Sequence, residues 1–280
     1  MGELSSSDLV VKFSDPLIKA VSLLGGEKAR YRLPVTDDEG KVEGFISGRR
    51  VIEVLVGRRG TSLIEEKGLD AILNEPINLF MDEIHHLFFD DARLDTILKY
   101  ICENMVGYVI LVDQSGRFKG IVEEVGFLER LKGKEMGISV DQIMSRRIHA
   151  EEAKSTILEA SQRMVNERLR RLPVTDRGKV VGIITVSDIL RELVRARNAG
   201  VERALANIFK QRVEELMSRD LVGIDPDADV GAAVKSMLDM DVSGLLVFRD
   251  QQLVGIVSRV DVLGRSVRIK GIEHMIEMMV

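Results

Sequence analysis

The sequence predicts an α/β (α+β) protein that is built from four copies of one small unit. The six residues RLPVTD at 32–37 recur unchanged at 171–176. The motif GIITVSD at 182–188 follows the second of these, and GIVSRVD at 255–261 repeats its plan. A weaker copy of the same pattern begins at Gly107. Recurrence of one pattern along a chain indicates a repeat architecture, and here it occurs four times.

The composition is that of a folded protein of about two domains. The chain has 280 residues, of which 45% are hydrophobic and 30% are charged, and its net charge is −5. This charge argues against a nucleic-acid partner, because nucleic acids attract strongly basic surfaces. The single cysteine, Cys102, cannot form an internal disulfide and suits a reducing compartment. We interpret it as a core residue.

No apolar run approaches the roughly 18 residues that a membrane helix needs. The first eight residues, MGELSSSD, lack the basic and apolar regions of a signal peptide. We therefore expect a cytoplasmic protein without a membrane partner.

Copy one shows the plan of the unit. The dipeptide at 15–16, Asp-Pro, is a helix-start signal, since a carboxylate can cap a helix and proline suits the first turn. Apolar residues at helical spacing then predict a helix that ends at the glycine pair 25–26. The elements that follow are a strand, a turn, a returning strand and a closing helix, expected at 32–36, 37–40, 42–47 and about 50–56.

Copies two to four repeat this plan. The sequence predicts a leading helix at 63–73, then apolar helix faces centred near 98, 160 and 234, and closing helices that include 127–131 and 187–197. A Met-rich tail helix is expected at 273–280, and packing is its expected role. Glycines among charged residues at 132–137 mark the best boundary. We therefore expect two domains: 1–133, with repeats at about 8–57 and 78–133, and 134–280, with repeats at about 138–197 and 211–267.

These motifs resemble the cystathionine-β-synthase (CBS) domain family over nearly the whole chain. The family pattern has a Leu-Pro-Val strand and then Gly-x-[Ile/Val]-[Ser/Thr]-x-x-Asp before the last helix, which residues 182–188 and 255–261 match. The resemblance implies that two repeats pair through their sheets into a Bateman module. Four repeats resemble the gamma regulatory subunit of AMP-activated protein kinase and archaeal stand-alone proteins, in which two modules form a disk. The implied function is regulatory binding of an adenosine-containing ligand.

The motif residues suit a nucleotide for physical reasons. A hydroxyl at a strand-to-helix junction lies where helix N–H groups can bind phosphate. A carboxylate in the first helical turn can accept two hydrogen bonds from a ribose diol, and glycine lets the backbone approach a ligand. The resemblance implies these ligand-binding residues: Thr185, Ser187, Asp188, Ser258, Asp261, Arg170, Arg171, Leu172, Gly182, Gly255, Arg32 and His149. The alternative is that the hydroxyls and aspartates only cap helices.

The arginines before the Leu-Pro pairs are implied to face ligand phosphates, since guanidinium groups fit phosphate geometry. The alternative is that each pairs with a surface carboxylate. Copies one and two depart from the motif: Arg50 stands in the place of the aspartate in copy one, and copy two has Glu123 and Gly126 in place of the hydroxyl and the carboxylate. Their sites are therefore doubtful, although Arg50 could reach a phosphate in a neighbouring site.

The histidines could suggest a metal-binding site, an interpretation that we reject. His86 and His149 share one repeat position, but no cysteine or second-ligand spacing accompanies them. A ligand-lining role fits them better.

We therefore predict a regulatory protein that binds AMP, ADP or ATP and is not an enzyme, since the sequence shows neither a catalytic triad nor a P-loop. S-adenosylmethionine is the alternative ligand, and an assembly scaffold with partly lost sites is the alternative function. The sequence leaves open which protein is regulated, a kinase or another, and whether two chains form a homodimer.

Overall fold

A computed structural model describes residues 10–26, 32–200 and 204–280. Each of the four copies has a three-stranded sheet, in which a first strand runs parallel to the second and the last two strands form an antiparallel hairpin. Every hairpin has a register shift at the same place in the repeat. The four-copy α/β architecture expected from the sequence is therefore confirmed.

Copies one and two supply the first half of the elements. Copy one consists of β1 (Val11–Lys12), α1 (Leu17–Leu24), β2 (Arg32–Thr36), β3 (Val42–Ser47) and α2 (Gly48–Leu55). A connection with α3 (Thr61–Lys67) and two 3₁₀ turns (Ala71–Asn74 and Ile77–Leu79) replaces the single helix expected at 63–73. Copy two consists of β4 (Leu87–Phe89), α4 (Leu94–Asn104), β5 (Tyr108–Val112), β6 (Phe118–Glu123) and α5 (Glu124–Leu131).

Copies three and four repeat the order and each adds a short opening helix. Copy three consists of α6 (Val140–Ile143), β7 (Glu151–Glu152), α7 (Ile157–Asn166), β8 (Arg171–Asp176), β9 (Lys179–Thr185) and α8 (Val186–Asn198). After α9 (Ala204–Lys210), copy four consists of α10 (Val213–Leu216), β10 (Gly223–Ile224), α11 (Val230–Asp239), β11 (Gly244–Arg249), β12 (Gln252–Ser258) and α12 (Arg259–Lys270). The Met-rich tail is α13 (Ile272–Met279), which packs through the buried Met275 and Met279.

The first helix starts differently from the expectation. Asp15 does not cap α1; its carboxylate accepts hydrogen bonds from the Lys12 N–H at 2.7 Å and from Lys19 Nζ at 2.7 Å. Proline lies one position earlier than predicted, since Pro16 is the residue directly before the helix and not part of its first turn. The amino-terminal segment 1–9, on which the signal-peptide argument rested, lies outside the described residues.

Contacts divide the chain into two compact units that group alternate copies. We call residues 7–85 and 149–220 the odd-copy unit, since they hold copies one and three. Residues 86–148 and 221–280, with copies two and four, form the even-copy unit. This grouping follows the packing of the helices, whereas the predicted domains 1–133 and 134–280 follow the order of the copies along the chain and remain a prediction. The physical reason is that α1 and α2 pack on α7 and α8, whereas α4 and α5 pack on α12, and each set of apolar faces closes one core.

Two opening segments lie in a different unit from the rest of their own copy. The segment with α6 starts copy three in sequence but lies in the even-copy unit, where Ser145 and Ile256 exchange backbone hydrogen bonds of 2.8 and 3.0 Å. The segment with α10 starts copy four but lies in the odd-copy unit, where Ser218 and Ile183 exchange two of 2.9 Å. The opening segment of copy three thus pairs with a strand of copy four, and the opening segment of copy four pairs with a strand of copy three.

Cys102 is a core residue, as expected. It lies on α4, is 2% exposed and joins the core of the even-copy unit. Burial raises the pKa of its thiol to about 12. No helix of the described residues has the length and apolar character that a membrane span requires.

We expect Cys102 to resist thiol reagents in the folded protein. A disulfide reagent at pH 8 should react slowly without denaturant and completely in guanidinium chloride, because only the thiolate attacks and burial disfavours it. The release of the chromophore measures both rates. Fast reaction of the native protein would contradict the burial of this side chain.

Candidate functional site

Thr185 and Asp188 form a reciprocal cap at the start of α8. The Asp188 Oδ2 atom accepts hydrogen bonds from the Thr185 N–H at 2.9 Å and from its hydroxyl at 2.7 Å, and the Asp188 N–H donates to Thr185 Oγ1 at 3.2 Å. The other carboxylate oxygen, Oδ1, accepts from Arg191 Nη1 at 3.0 Å. Ser187 lies half-buried between them in the first turn. Thr185 and Asp188 therefore cap α8.

Ser258 and Asp261 repeat this geometry at the start of α12. The three corresponding distances are 3.0, 2.6 and 3.3 Å. Asp261 Oδ1 lies 3.1 Å from Arg265 Nε. The side chains of Asp188 and Asp261 retain 19% and 15% exposure, so each is partly accessible to solvent. A ligand hydroxyl would compete with an arginine for Oδ1 in both copies.

Arg265 ties this carboxylate to the opening segment of copy three. Its Nη1 group donates to the carbonyl oxygens of Ile143 at 2.9 Å and Met144 at 2.8 Å. The aspartate of copy four is thus joined by one side chain to the segment that completes its sheet face.

The motif glycines lie under the opening segments. A Cβ atom at Gly182 would lie 2.5 Å from Met217 Sδ and 2.8 Å from the Ser218 carbonyl oxygen, and one at Gly255 would collide with Met144 in the same way. The opening segments therefore make a close approach that requires glycine at both positions. Gly44 of copy one contacts Met81 and Asp82 equivalently.

Leu172 is a core residue and does not line a site with its side chain. It is fully buried in the core of the odd-copy unit and pairs with Ile184 in the hairpin. Its neighbours do lie at the site: Arg171 pairs with Thr185 across the hairpin, and the Arg170 carbonyl oxygen accepts from the Val186 N–H at 2.9 Å. The structure thus brings Arg170 and Arg171 to the start of α8.

In copy one, Arg32 stands opposite Ser47 in the hairpin, in the same relation as Arg171 to Thr185. Ser47 caps α2 by accepting from the Arg50 N–H at 3.1 Å. The Arg50 guanidinium, however, bonds to Glu53 and to Asp82, the residue that follows Met81 in the segment on Gly44. Its side chain is 12% exposed. The expectation that Arg50 could reach a phosphate is not met, because two carboxylates already hold it.

Copy two has aromatic residues where copy three has cations. Tyr108 pairs with Glu123 at the position where Arg171 pairs with Thr185, and it is 4% exposed. The His86 ring contacts Tyr108 edge-on and lies 2.9 Å through Nδ1 from the Tyr100 hydroxyl. His149, at the equivalent position in copy three, instead lies 3.6 Å from a Glu167 carboxylate oxygen. The two histidines therefore have different surroundings and share no cluster in the described part of the chain.

Sequence reasoning missed Arg49 and Arg168. Arg49 Nη1 donates to the Arg168 carbonyl oxygen at 2.9 Å, which brings α2 of copy one to the loop before β8. Burial lowers the pKa of Arg49, and the cations of Arg170 and Arg168 lower it further. Alignment of the copies could have pointed to Arg49, because it occupies the motif position in copy one that Ser187 occupies in copy three.

Comparison with known proteins gives consistent matches. The CBS domain model matches residues 1–57, 140–195 and 213–268, which leaves copy two outside the matched segments. An uncharacterized 33.4 kDa protein of a ribosomal RNA operon in Thermofilum pendens is 26% identical over 275 residues, or 96% of this chain and 91% of the relative. Protein MJ1225 of Methanocaldococcus jannaschii is 26% identical over 266 residues, covering 91% and 94% of the two chains.

Solved structures share the fold. The crystal structure of MJ1225, which is described as a candidate archaeal homologue of g-AMPK, superposes with a TM-score of 0.83 at 24% identity over 94% of this chain and 97% of that one. An uncharacterized conserved protein of Pyrococcus horikoshii gives a TM-score of 0.57 at 21% identity, with 85% and 91% coverage. At these identities the likeness establishes the four-copy fold.

Proposed function

The chain belongs to the CBS domain family, and from this premise we propose that it is a regulatory protein that binds an adenosine-containing ligand at copies three and four. AMP, ADP or ATP is the proposed ligand. The observation that carries the proposal is the identical arrangement of Thr185 with Asp188 and of Ser258 with Asp261 at two strand-to-helix junctions.

The chemistry of this arrangement suits a ribose. A carboxylate whose Oδ2 is fixed by the cap presents Oδ1 in one orientation, and a charged acceptor binds hydroxyl donors more strongly than a neutral one does. The arginines that contact Oδ1 are themselves partly exposed, Arg191 by 54% and Arg265 by 35%. A ribose diol can therefore replace or share these contacts.

Copy three also has groups for a phosphate. Arg171 stands opposite Thr185, and Arg170 is joined through its carbonyl to the first turn of α8. The start of a helix carries partial positive charge, and guanidinium groups bind phosphate in a fork. These features favour a nucleotide over a plain nucleoside at this copy.

A thermal-shift screen of the full chain tests the proposal. AMP, ADP, ATP, S-adenosylmethionine and NAD would be compared, and a ligand at about 100 times its dissociation constant should stabilise the protein by about 2.7 kcal/mol. Stabilisation by S-adenosylmethionine alone would favour the alternative ligand. Absence of any shift would favour the scaffold function.

We predict that Asp188→Asn and Asp261→Asn each lower affinity at their own site by about tenfold, or about 1.4 kcal/mol. Asparagine keeps one acceptor oxygen for the cap but loses the charged acceptor for a ribose. The melting temperature without ligand should change little for Asp188→Asn. Asp261→Asn should lower it slightly more, because Arg265 also holds the opening segment. Calorimetric titration and thermal melting measure the two effects.

Glu159→Gln is the matched control. Glu159 caps α7 with Thr156 in the same reciprocal way, with 2.7 and 2.9 Å to its N–H and hydroxyl, but lies at a helix that the motif does not include. It should leave affinity unchanged. Unchanged affinity in both aspartate variants would mean that these residues serve only as caps. The full chain is used because fragments 1–133 and 134–280 would each contain parts of both units.

A further inference from the structure

The edge strand of copy two exposes apolar side chains. β4 lies at the edge of its sheet, and its residues Leu87 and Phe89 are 40% and 50% exposed. The position of Phe89 is occupied by Lys12 in copy one and by Glu152 in copy three, as the strand pairing shows. A charge on an exposed edge discourages pairing with another strand, and copy two lacks this protection.

The backbone of β4 also offers hydrogen-bonding groups at this edge. The His86 carbonyl oxygen accepts from the Ile110 N–H of β5 at 2.8 Å. Because backbone groups alternate in direction along a strand, the N–H and C=O groups of Leu87 and Phe89 point away from β5. Within the described residues, only the Phe89 carbonyl oxygen has a bond there, from the Ala92 N–H at 3.0 Å. The Leu87 N–H and C=O groups and the Phe89 N–H group are therefore open to another strand.

Copies one and three close the same edge with carboxylates. The Lys12 N–H donates to Asp15 Oδ2 at 2.7 Å, and the Glu152 N–H donates to Glu151 Oε1 at 3.3 Å. The equivalent N–H group of Phe89 has no such acceptor in the part of the chain that the structure describes. The edge of copy two therefore differs from these two edges both in its side chains and in its backbone.

We propose that β4 pairs with β4 of a second copy of this chain about a twofold axis at Phe88. The two strands run antiparallel, and Leu87 of each copy lies opposite Phe89 of the other, so that both pairs exchange backbone hydrogen bonds. The exposed apolar side chains of both copies then contact one another on one face of the joined sheet. A twofold interface is closed, so association stops at two copies.

Charge and register favour a second copy as the partner. With the axis at Phe88, Asp90 lies opposite His86 of the second copy, so a carboxylate faces an imidazole and not another carboxylate. A shift of the axis to Leu87 or to Phe89 would place one strand residue opposite a residue outside β4. The three residues of each strand bury less than the roughly 1,000 Å² of a stable interface, so we expect a weak dimer.

Sedimentation velocity of the full chain at concentrations up to about 1 mM tests the proposal. The unmodified protein should form a dimer as its concentration rises. Phe89→Lys gives copy two the residue type of copy one, and it should weaken association about tenfold or more, since the dimer loses two apolar contacts. Ile269→Lys is the control, because Ile269 is 45% exposed in the same unit but lies on α12 and not on β4. It should dimerise like the unmodified protein.

Cysteine cross-linking tests the register, and it needs no comparison of affinities. A mixture of the Leu87→Cys and Phe89→Cys proteins should form an intermolecular disulfide, since opposite residues of a hydrogen-bonded pair have Cα atoms about 5.5 Å apart. Each variant alone should cross-link poorly, because its two cysteines would lie on a diagonal at about 7–8 Å. The native Cys102 is 2% exposed and should not contribute.

Three results would overturn the proposal. The first is a protein that stays monomeric at every concentration, including one that instead binds an extended valine-rich peptide through Phe89, which would assign the edge to a different partner. The second is a Phe89→Lys protein that dimerises as well as Ile269→Lys. The third is equal cross-linking in the mixture and in the separate cysteine variants.

Discussion

Gly25→Ala is expected to destabilise the protein by about 3 kcal/mol, the upper part of the usual range for overpacking. Gly25 is buried at the end of α1, where an added Cβ would lie 2.7 Å from the Leu190 carbonyl carbon and 2.8 Å from the Arg191 nitrogen. These are backbone atoms of α8, which cannot rotate away as a side chain can. The methyl group would therefore separate the helices through which copies one and three share a core.

The backbone conformation of Gly25 does not contribute to the expected loss of stability. Its φ of −102° is open to alanine, so the cost comes from the contact with α8. Gly126→Ala is the matched control, since the described atoms leave at least 4 Å of space around an added Cβ on α5. Alanine there should stabilise by about 0.5–1 kcal/mol through helix propensity. Denaturant titration gives both free energies of unfolding, and equal values for the two variants would refute the close approach of α1 to α8.

Arg50→Met should cost about 2–3 kcal/mol of stability, somewhat less than the 3–5 kcal/mol typical when one member of a fully buried ion pair is removed. The side chains of Arg50, Glu53 and Asp82 are 12%, 21% and 20% exposed. Methionine fills the volume of the stem but leaves both carboxylates without the guanidinium. The segment after Met81, which packs on Gly44, would lose one of its anchors.

Arg50→Met also distinguishes a structural role of Arg50 from a phosphate-binding role. Because Arg50 is held by two carboxylates, Arg50→Met should not change the affinity for ATP. If Arg50 bound a phosphate, the same substitution would lower that affinity. A double-mutant cycle with Asp82→Asn should give a coupling energy of about 1 kcal/mol or more, as residues in one ion-pair network are not additive. Additive losses, or an ATP affinity that falls with Arg50→Met, would contradict this assignment. Lys19→Met is a control, since the Lys19 pair with Asp15 is exposed and should contribute little.

The opening segments pack against the motif glycines. In three copies the glycine lies under a methionine and a backbone carbonyl of an incoming segment: Gly44 under Met81, Gly182 under Met217 and Gly255 under Met144. In copy four, Arg265 joins that segment to Asp261. Packing between copies thus uses part of a motif that the resemblance assigns to binding.

The sequence by itself determined the elements and their order. Helical and strand periodicity in copies one to four, the turn at 37–40, and the repeated hydroxyl and aspartate all depend on residues close in the chain. That is why the α/β class, the four copies and the caps at Thr185 and Ser258 were predictable. For the same reason, the sequence showed both interpretations of Asp188, as a helix cap and as a ligand contact.

Tertiary structure decided what depends on residues far apart in sequence. Copies one and three share a core because the apolar faces of α1 and α2 fit α8 and α7, and periodicity shows that a face is apolar without showing what covers it. For the same reason, only the fold shows that Arg50 bonds to Asp82 and that Arg49 lies beside Arg168 and Arg170. A charge in the sequence acquires a role when folding decides its neighbours, since the strength of its interactions depends on distance and burial.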